Sequence, residues 1–192
     1  ILDGTSFSIM LKTDGSGQRF GFRITKVEAI TETDLRILAG LETKVLEDGT
    51  LEIVNYSGDV ADVVIPSQID GIAVTSIGNG AFFETNISKV HIRSVVIPEG
   101  VTAIGDKAFC YCNQLMSVTF PSTLQTIGEC VFDNCPFTEI TLPDGIKSIG
   151  LDAFLFCELT AIKLPASLTI IDDDAFTGCP LTSVEVEEGT YA

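Results

Sequence analysis

The chain has 192 residues, and 27 acidic residues against 11 basic ones give it a net charge of −16. An apolar fraction of 45% excludes an intrinsically disordered chain. The charge disfavours nucleic acid and anionic membrane surfaces as partners, because no basic field neutralises their phosphates. No apolar run approaches the roughly 18 residues that span a bilayer, so we expect no membrane insertion in this segment. The chain begins at Ile1 without a signal-like segment, which is typical of a processed or trimmed protein.

The first 45 or so residues lack the repeat that follows them. Apolar stretches at 7–12 and 19–27, joined by the turn-rich TDGSG, predict a β-hairpin. Thr31 is expected to cap a short helix through Leu38, with Gly40 just past its end. We predict that residues 1–45 form an N-terminal cap, because an open solenoid end exposes apolar core and strand edge.

A strand over 50–54 is then predicted to lead into an array of repeats that fills residues 46–192. Three residue types recur every 22 or 23 positions in this array. They are Pro98, Pro121, Pro143 and Pro165; Phe109, Phe132, Phe154 and Phe176; and Cys112, Cys135, Cys157 and Cys179. A full unit, TEITLPDGIKSIGLDAFLFC at 138–157, has the pattern xxIxLPxxLxxIGxxAFxxC. Such a period indicates a solenoid of about five to six coils.

Each unit is predicted to supply one coil. Ile140 and Leu142 alternate as in a strand with one buried face, and Pro143 ends that strand because proline cannot donate to the ladder. The next two apolar positions are expected to form a second wall, Gly150 to allow a tight bend, and Phe154 to point inward. Stacking then buries the apolar sides of neighbouring coils against each other and aligns the Phe rings along one axis.

Two early units are irregular. The first copy, from Ala61, has five extra residues after Pro66. In the second, ISKVHI at 87–92 falls where a strand is due, and additional residues then precede the Val96-Ile97-Pro98 sequence. The array ends at 184–186, where Glu187 replaces the expected proline.

These motifs, over residues 61–186, resemble the BspA-like (Treponema pallidum-type) leucine-rich repeats of bacteria. The resemblance implies a mainly β or α/β solenoid, a right-handed leucine-rich-repeat superhelix with a parallel sheet on its concave side. It also implies a secreted or cell-surface location and a role in binding other proteins.

The cysteines at one repeat position are expected to form a row of small apolar side chains inside the coils. Equivalent Cβ atoms of adjacent rungs lie about 4.8 Å apart with parallel directions, whereas a disulfide needs about 3.5–4.5 Å and converging directions. Four ligands in a line cannot surround a zinc ion. Cys110 and Cys130 fall outside the row. They are expected to be partly exposed, and a bridge that involves one of them stays open as an alternative.

Little in the sequence favours an enzyme. His91 is the only histidine, so a catalytic triad would depend on it and a multi-histidine metal site is excluded by count. The acidic run at 172–174 lacks the spacing of a calcium loop and favours a solvated turn. We predict no catalytic residue, metal or cofactor.

Outward positions of successive strands define the candidate partner-binding surface, which we call the candidate face. It comprises Asp62, Val64, Lys89, His91, Ser117, Thr119, Glu139, Thr141, Ala161, Lys163, Ser183 and Glu185. This mixed polar set suits a wet interface of modest affinity. We predict a monomeric, non-enzymatic module that binds a protein, such as a host or extracellular-matrix protein. The alternatives are a structural spacer that presents another domain and an enzyme with an acidic site.

Overall fold

The computed structural model describes residues 31–83 and 91–188, so the hairpin predicted at 7–12 and 19–27 lies outside the described residues. Helix α1 (Glu32–Gly40) confirms the predicted helix. A reciprocal cap begins it: the Asp34 amide donates to Thr31 Oγ1 at 3.1 Å, and the Thr31 amide donates to Asp34 Oδ2 at 2.8 Å. The helix includes Gly40, where a Cβ atom would lie 2.4 Å from Gly58 Cα, so glycine allows this close approach.

Short strands make up most of the remaining regular structure. In chain order these are β1 (Leu41–Val45), β2 (Leu51–Tyr56), β3 (Asp62–Val64), β4 (Gln68–Ile69), β5 (Ile72–Ile77), β6 (Ser94–Val96), β7 (Ala103–Ile104), β8 (Ser117–Thr119), β9 (Thr126–Ile127), β10 (Ser148–Ile149), β11 (Ala161–Leu164), β12 (Ile170–Ile171) and β13 (Ser183–Val186). The predicted strand at 50–54 is β2.

Two walls of parallel strands run along the stack. The first, here called the long sheet, has the order β1-β2-β5-β7-β9-β10-β12, with β4 beside β5. Its β1–β2 and β4–β5 pairs are antiparallel, and the other pairs are parallel. The second, here called the interrupted sheet, consists of β3-β6-β8 and, separately, β11-β13. The predicted coil therefore forms, with both walls made by short strands.

The strand predicted around Ile140 and Leu142 is the exception. Residues 139–142 belong to no strand, although Leu142 is buried as expected. This segment separates β8 from β11, which is why the second wall is divided.

A column of aromatic rings fills the interior and confirms the predicted alignment. Ring centroids of successive members are 4.9–5.5 Å apart, and their planes lie within 19° of parallel. The column comprises Phe82, Phe109, Phe132, Phe154 and Phe176. Tyr56 extends it at 5.4 Å from Phe82, and the Tyr56 hydroxyl donates to the Val60 carbonyl at 3.0 Å.

The repeated glycine has a different role from the predicted tight bend. A Cβ atom on Gly150 would lie 2.8 Å from the Gly128 carbonyl carbon, and one on Gly128 would lie 3.1 Å from the Gly105 carbonyl carbon. None of these three glycines has a positive φ. Their small size therefore lets successive coils approach each other.

Candidate functional site

The outward residues of β3, β6 and β8 lie in straight rows. Asp62, Ser94 and Ser117 form one row of parallel pairs, and Val64, Val96 and Thr119 form the next. The inward side chains between them include Val63 and Val95, each only 1% exposed. On β3 and β11, exposed residues alternate with buried ones, which puts their candidate-face residues on the outside of the wall. The candidate positions of β8 and β13 are exposed as well, although Val118 between them on β8 is half-buried and all four residues of β13 are exposed.

The second coil differs in register from the expectation that Lys89 and His91 would occupy these rows. Ser94 and Val96 take the row positions, because β6 begins at Ser94. His91 is exposed but precedes the strand, and Lys89 lies outside the described residues. The repeat offered a signal for the observed register, since Val96 stands two residues before Pro98 as Val64 does before Pro66.

Charged groups organise the first end of the candidate face. Arg93 Nη2 lies 2.6 Å from Asp62 Oδ2, and the Ser94 hydroxyl donates to Asp62 Oδ1 at 2.9 Å. Val64 and Val96, beside this pair, are 54% and 38% exposed. A fixed carboxylate with a small apolar patch beside it offers both a polar and an apolar contact to a partner.

A second charged pair lies at the other end. Ala161 and Ser183 are paired in register, as are Lys163 and Glu185. Lys163 Nζ is 2.7 Å from Glu187 Oε1. This contact lowers the pKa of the Glu187 carboxyl and raises the pKa of the Lys163 ammonium, so both groups stay ionised near neutral pH. The two opposite charges neutralise each other on an exposed surface.

Between these ends lies an open groove at the break in the wall. Glu139 and Thr141 are exposed, as expected, but their segment pairs with neither neighbouring strand. The groove has a volume of about 540 Å³, and its lining includes Met116, Phe120 and Ile140. Nothing in the repeat pattern of the sequence indicated this groove.

The cysteine row lies inside the coils, as predicted. Each thiol donates to a Phe carbonyl of the preceding coil at 3.0–3.2 Å. The donors are Cys112, Cys135, Cys157 and Cys179, and the acceptors are Phe82, Phe109, Phe132 and Phe154. All six cysteines are free thiols. These bonds tie successive coils together.

Two expectations for cysteine exposure are wrong. Cys110 is only 3% exposed, because it packs under Asp133, whose Oδ2 lies 3.7 Å from its sulfur. Burial, together with the Asp133 charge, raises the pKa of the Cys110 thiol to about 12. Cys179, a member of the row, is half-buried because it lies in the last described AFxxC turn of the stack.

The acidic run at 172–174 forms a turn. Asp172 Oδ1 accepts the Asp174 amide at 3.3 Å, and Asp174 Oδ1 accepts the Thr177 hydroxyl at 3.1 Å. Over residues 31–83 and 91–188, no three His, Cys, Asp or Glu side chains come close enough to hold a metal ion. In the same part of the chain, no helix has the length and apolar character needed to cross a bilayer.

A second groove, of about 500 Å³, lies where the glycine-containing turns of three coils meet, beside Phe83 and Lys107. Its polar groups serve the stack: Asn79 Oδ1 accepts the Asp106 amide, and Asp106 Oδ1 accepts the Glu129 amide, both at 2.9 Å. These bonds repeat from coil to coil and leave the groove without a convergent set of polar groups.

The stacked coils, the proline-ended strands and the aromatic column define a leucine-rich-repeat solenoid. The family model for the BspA type leucine-rich repeat region matches residues 75–191 with six copies. The chain belongs to this family. None of the curated proteins matches the chain.

Solved structures support the same fold. The chain is 32% identical to a leucine-rich repeat protein of T. pallidum, with a TM-score of 0.71, over 76% of this chain and 68% of that one. It is also 32% identical to a leucine-rich repeat protein of Bacteroides ovatus, with a TM-score of 0.66, over 77% of this chain and 41% of that one. A third such protein, from Bacteroides capillosus, is 25% identical, with a TM-score of 0.52, over 77% of this chain and 94% of that one.

Proposed function

We propose that this chain is a non-enzymatic module that binds another protein through the candidate face. The observation that carries the proposal is the set of exposed side chains held in register on β3, β6 and β8 and again on β11 and β13. A stack of coils fixes the spacing of such rows without further ordering on binding. Preorganised side chains lower the entropic cost of association.

The chemistry of the face suits a polar partner surface. Its charged groups include Asp62, Lys163 and Glu185, and four of its twelve positions carry hydroxyls. None of the candidate positions is Phe, Tyr or Trp. Affinity then arises from many water-bridged polar contacts rather than from one buried anchor.

The proposal includes a location outside the cell and a partner such as a host or extracellular-matrix protein, with adhesion as the result. Its support is the resemblance to the BspA-type family. We further propose that the chain acts as a monomer and that residues 1–45 cap the first coil. The antiparallel pairing of β1 with β2, at the start of the long sheet, supports the cap.

Binding to immobilised extracellular-matrix proteins, measured by surface plasmon resonance, tests the proposal. Lys163→Glu breaks the contact with Glu187 and reverses a charge on the candidate face. Lys147→Glu is the matched control, since Lys147 is also exposed but immediately precedes β10 of the long sheet. We expect Lys163→Glu to weaken binding by about tenfold, or 1.4 kcal/mol, and the control to leave it unchanged.

Two results would contradict the proposal. Equal binding by both variants and the unmodified chain would mean that the interface lies on another surface. Failure of the unmodified chain to bind any matrix protein would favour the structural spacer.

A further inference from the structure

The groove in the interrupted sheet exposes an unpaired strand edge. In the regular part of the wall, the Ile65 amide donates to the Val96 carbonyl and the Ile97 amide donates to the Thr119 carbonyl, both at 3.0 Å. The corresponding bond at the next step would join the Phe120 amide to the Thr141 carbonyl, and it is missing. Within the described part of the chain, no backbone hydrogen bond joins 139–142 to a neighbouring coil.

The direction of the unpaired groups follows from strand geometry. Residues of a strand direct their N–H and C=O groups alternately to its two sides. The Thr119 carbonyl faces β6, so the backbone groups of Val118 and Phe120 face the groove. Buried or half-buried backbone groups favour a hydrogen-bond partner, which an added strand supplies.

Side-chain burial shows the same opening. At the inward position of this wall, Val95 is 1% exposed and Ile162 is 5% exposed, whereas Val118 and Ile140 are only half-buried. Phe120 is half-buried, whereas Ile97, its counterpart in the preceding coil, is 2% exposed. The groove therefore gives an outside molecule access to apolar core side chains.

Extra aromatic volume accounts for the opening. Phe120 and Phe137 stand where neighbouring coils have Ile, Val or Leu, and both pack edge-on against Phe132, with centroids 5.9 and 5.5 Å from it. Phe132 is also 5.5 and 5.4 Å from its column neighbours Phe109 and Phe154. Elsewhere in the Phe column, the corresponding spacings are 4.9 and 5.1 Å.

A change in coil length coincides with this crowding. Arg93 and Met116, at equivalent positions, are 23 residues apart, whereas Met116 and Thr138 are 22 apart. The loop after Cys135 therefore reaches the wall with one residue fewer than the loop after Cys112. The loops after Cys157 and Cys179 are equally short, yet β11 and β13 pair. The larger interior, rather than the loop length, therefore distinguishes the coil in which 139–142 is unpaired.

We propose that the groove beside β8 binds an extended, basic segment of a partner protein by strand addition. The segment's backbone would pair with Val118 and Phe120, and one apolar side chain would enter between Met116 and Ile140. A volume of about 540 Å³ is in the usual range for a ligand site. Glu139 at the groove, within a chain of net charge −16, favours a Lys or Arg in the segment. This inference rests on the proposed function, because it assigns the partner's chemistry on the same face.

Amide hydrogen exchange tests the open edge in the protein alone. The Ile97 amide is bonded and belongs to the same wall, so it is the internal reference. We expect the Phe120 amide to exchange about 100-fold faster than the Ile97 amide. Similar protection of the two amides would show a closed ladder and overturn the inference.

Isothermal titration with a short peptide that alternates Val with Lys tests the binding step. A copy of the peptide with its alternate amides N-methylated keeps the charge and removes the backbone donors. We expect the unmodified peptide to bind and the methylated copy to bind about tenfold more weakly or worse. Equal binding of both peptides would indicate only charge attraction, and no binding of either would also overturn strand addition.

Two variants locate the peptide in the groove. Phe120→Ile with Phe137→Leu installs the residue types of neighbouring coils, and we expect it to protect the amide of residue 120 and to abolish peptide binding. Glu139→Lys keeps the core intact and is expected to weaken binding about tenfold. Undiminished binding by Glu139→Lys and by a folded double variant would contradict the site. Peptide binding that fails while Lys163→Glu still weakens matrix binding would sink this inference and leave the proposed function standing.

Discussion

The two walls of the solenoid are built from the same coils but differ in continuity. The long sheet passes without a break from β1 to β12, whereas the interrupted sheet stops at β8 and resumes at β11. Glycines 105, 128 and 150 hold the coils close beside the long sheet. The interrupted sheet depends on the packing of side chains such as Phe120, Val118 and Ile140, and the residues at these positions differ in size from coil to coil. Contact between backbones therefore maintains the ladder more strictly than packing of side chains does.

The largest test of this comparison is Phe154→Ala, which removes a fully buried ring shared by both walls. We expect the free energy of unfolding to fall by about 3–5 kcal/mol, because the cavity lies between two stacked rings. Phe156→Ala is the matched control, since that side chain is 58% exposed. Urea denaturation followed by circular dichroism measures both. Equal losses for the two variants would contradict the aromatic column as the main support of the stack.

Gly128→Ala tests the long sheet alone. The added Cβ would lie 2.5 Å from Asp106 Oδ1 and 3.1 Å from the Gly105 carbonyl carbon, so backbone has to move. We expect a loss of about 1–3 kcal/mol in the free energy of unfolding, the usual cost of overpacking. Glu129→Ala, on the adjacent exposed residue, controls for the surface change. A loss no larger than that of the control would mean that the coils are not held at this distance by glycine.

The sequence predicted whatever depends on the repeat or on a local cap. The rings at 109, 132, 154 and 176 and the cysteine row follow from the repeat, and the helix after Thr31 follows from its capping residue. The break at 139–142 does not, because it arises from the combined volumes of Phe120, Phe132 and Phe137 in one coil. The register of the second coil was missed because Ile87 to Ile92 imitates the alternation of the true strand.

Backbone conformation was also beyond the sequence pattern. Four of the five turns that lead into the Phe column have a residue with positive φ two positions before the Phe: Gly80, Lys107, Cys130 and Asp152. Only the first of these is glycine, which adopts this conformation without strain. The sequence therefore gave no signal at the other three, where the stack imposes the conformation.

Lys107→Gly tests whether the left-handed conformation that the stack imposes on this turn lowers stability. Lys107 is exposed and has φ 59°, and its amide bond to the Glu129 carbonyl at 2.8 Å survives the change. A left-handed conformation costs a residue with a Cβ about 1–2 kcal/mol, part of which glycine loses again in unfolded-chain entropy. We expect a net gain of about 0.5–1 kcal/mol in the free energy of unfolding, measured by urea denaturation. A loss of stability would show that the Lys107 side chain supports the turn.

Thiol labelling compares the interior of the stack with its last coil. It measures the reactivity of the cysteines and is the smallest effect considered. Cys179 is half-buried, and its contact with the Cys157 side chain lowers the pKa of Cys179. Burial raises the pKa of Cys130 and Cys110, the latter to about 12. Because the thiolate is the reactive form, we expect Cys179 to be alkylated first at pH 8, and Cys110 to be protected until the chain unfolds. Cys157→Ala removes this contact, so the pKa of Cys179 should rise and its labelling at pH 8 should slow. Peptide mass spectrometry measures the labelling of each cysteine. Faster labelling of Cys110 than of Cys179 would contradict the burial of Cys110 under Asp133.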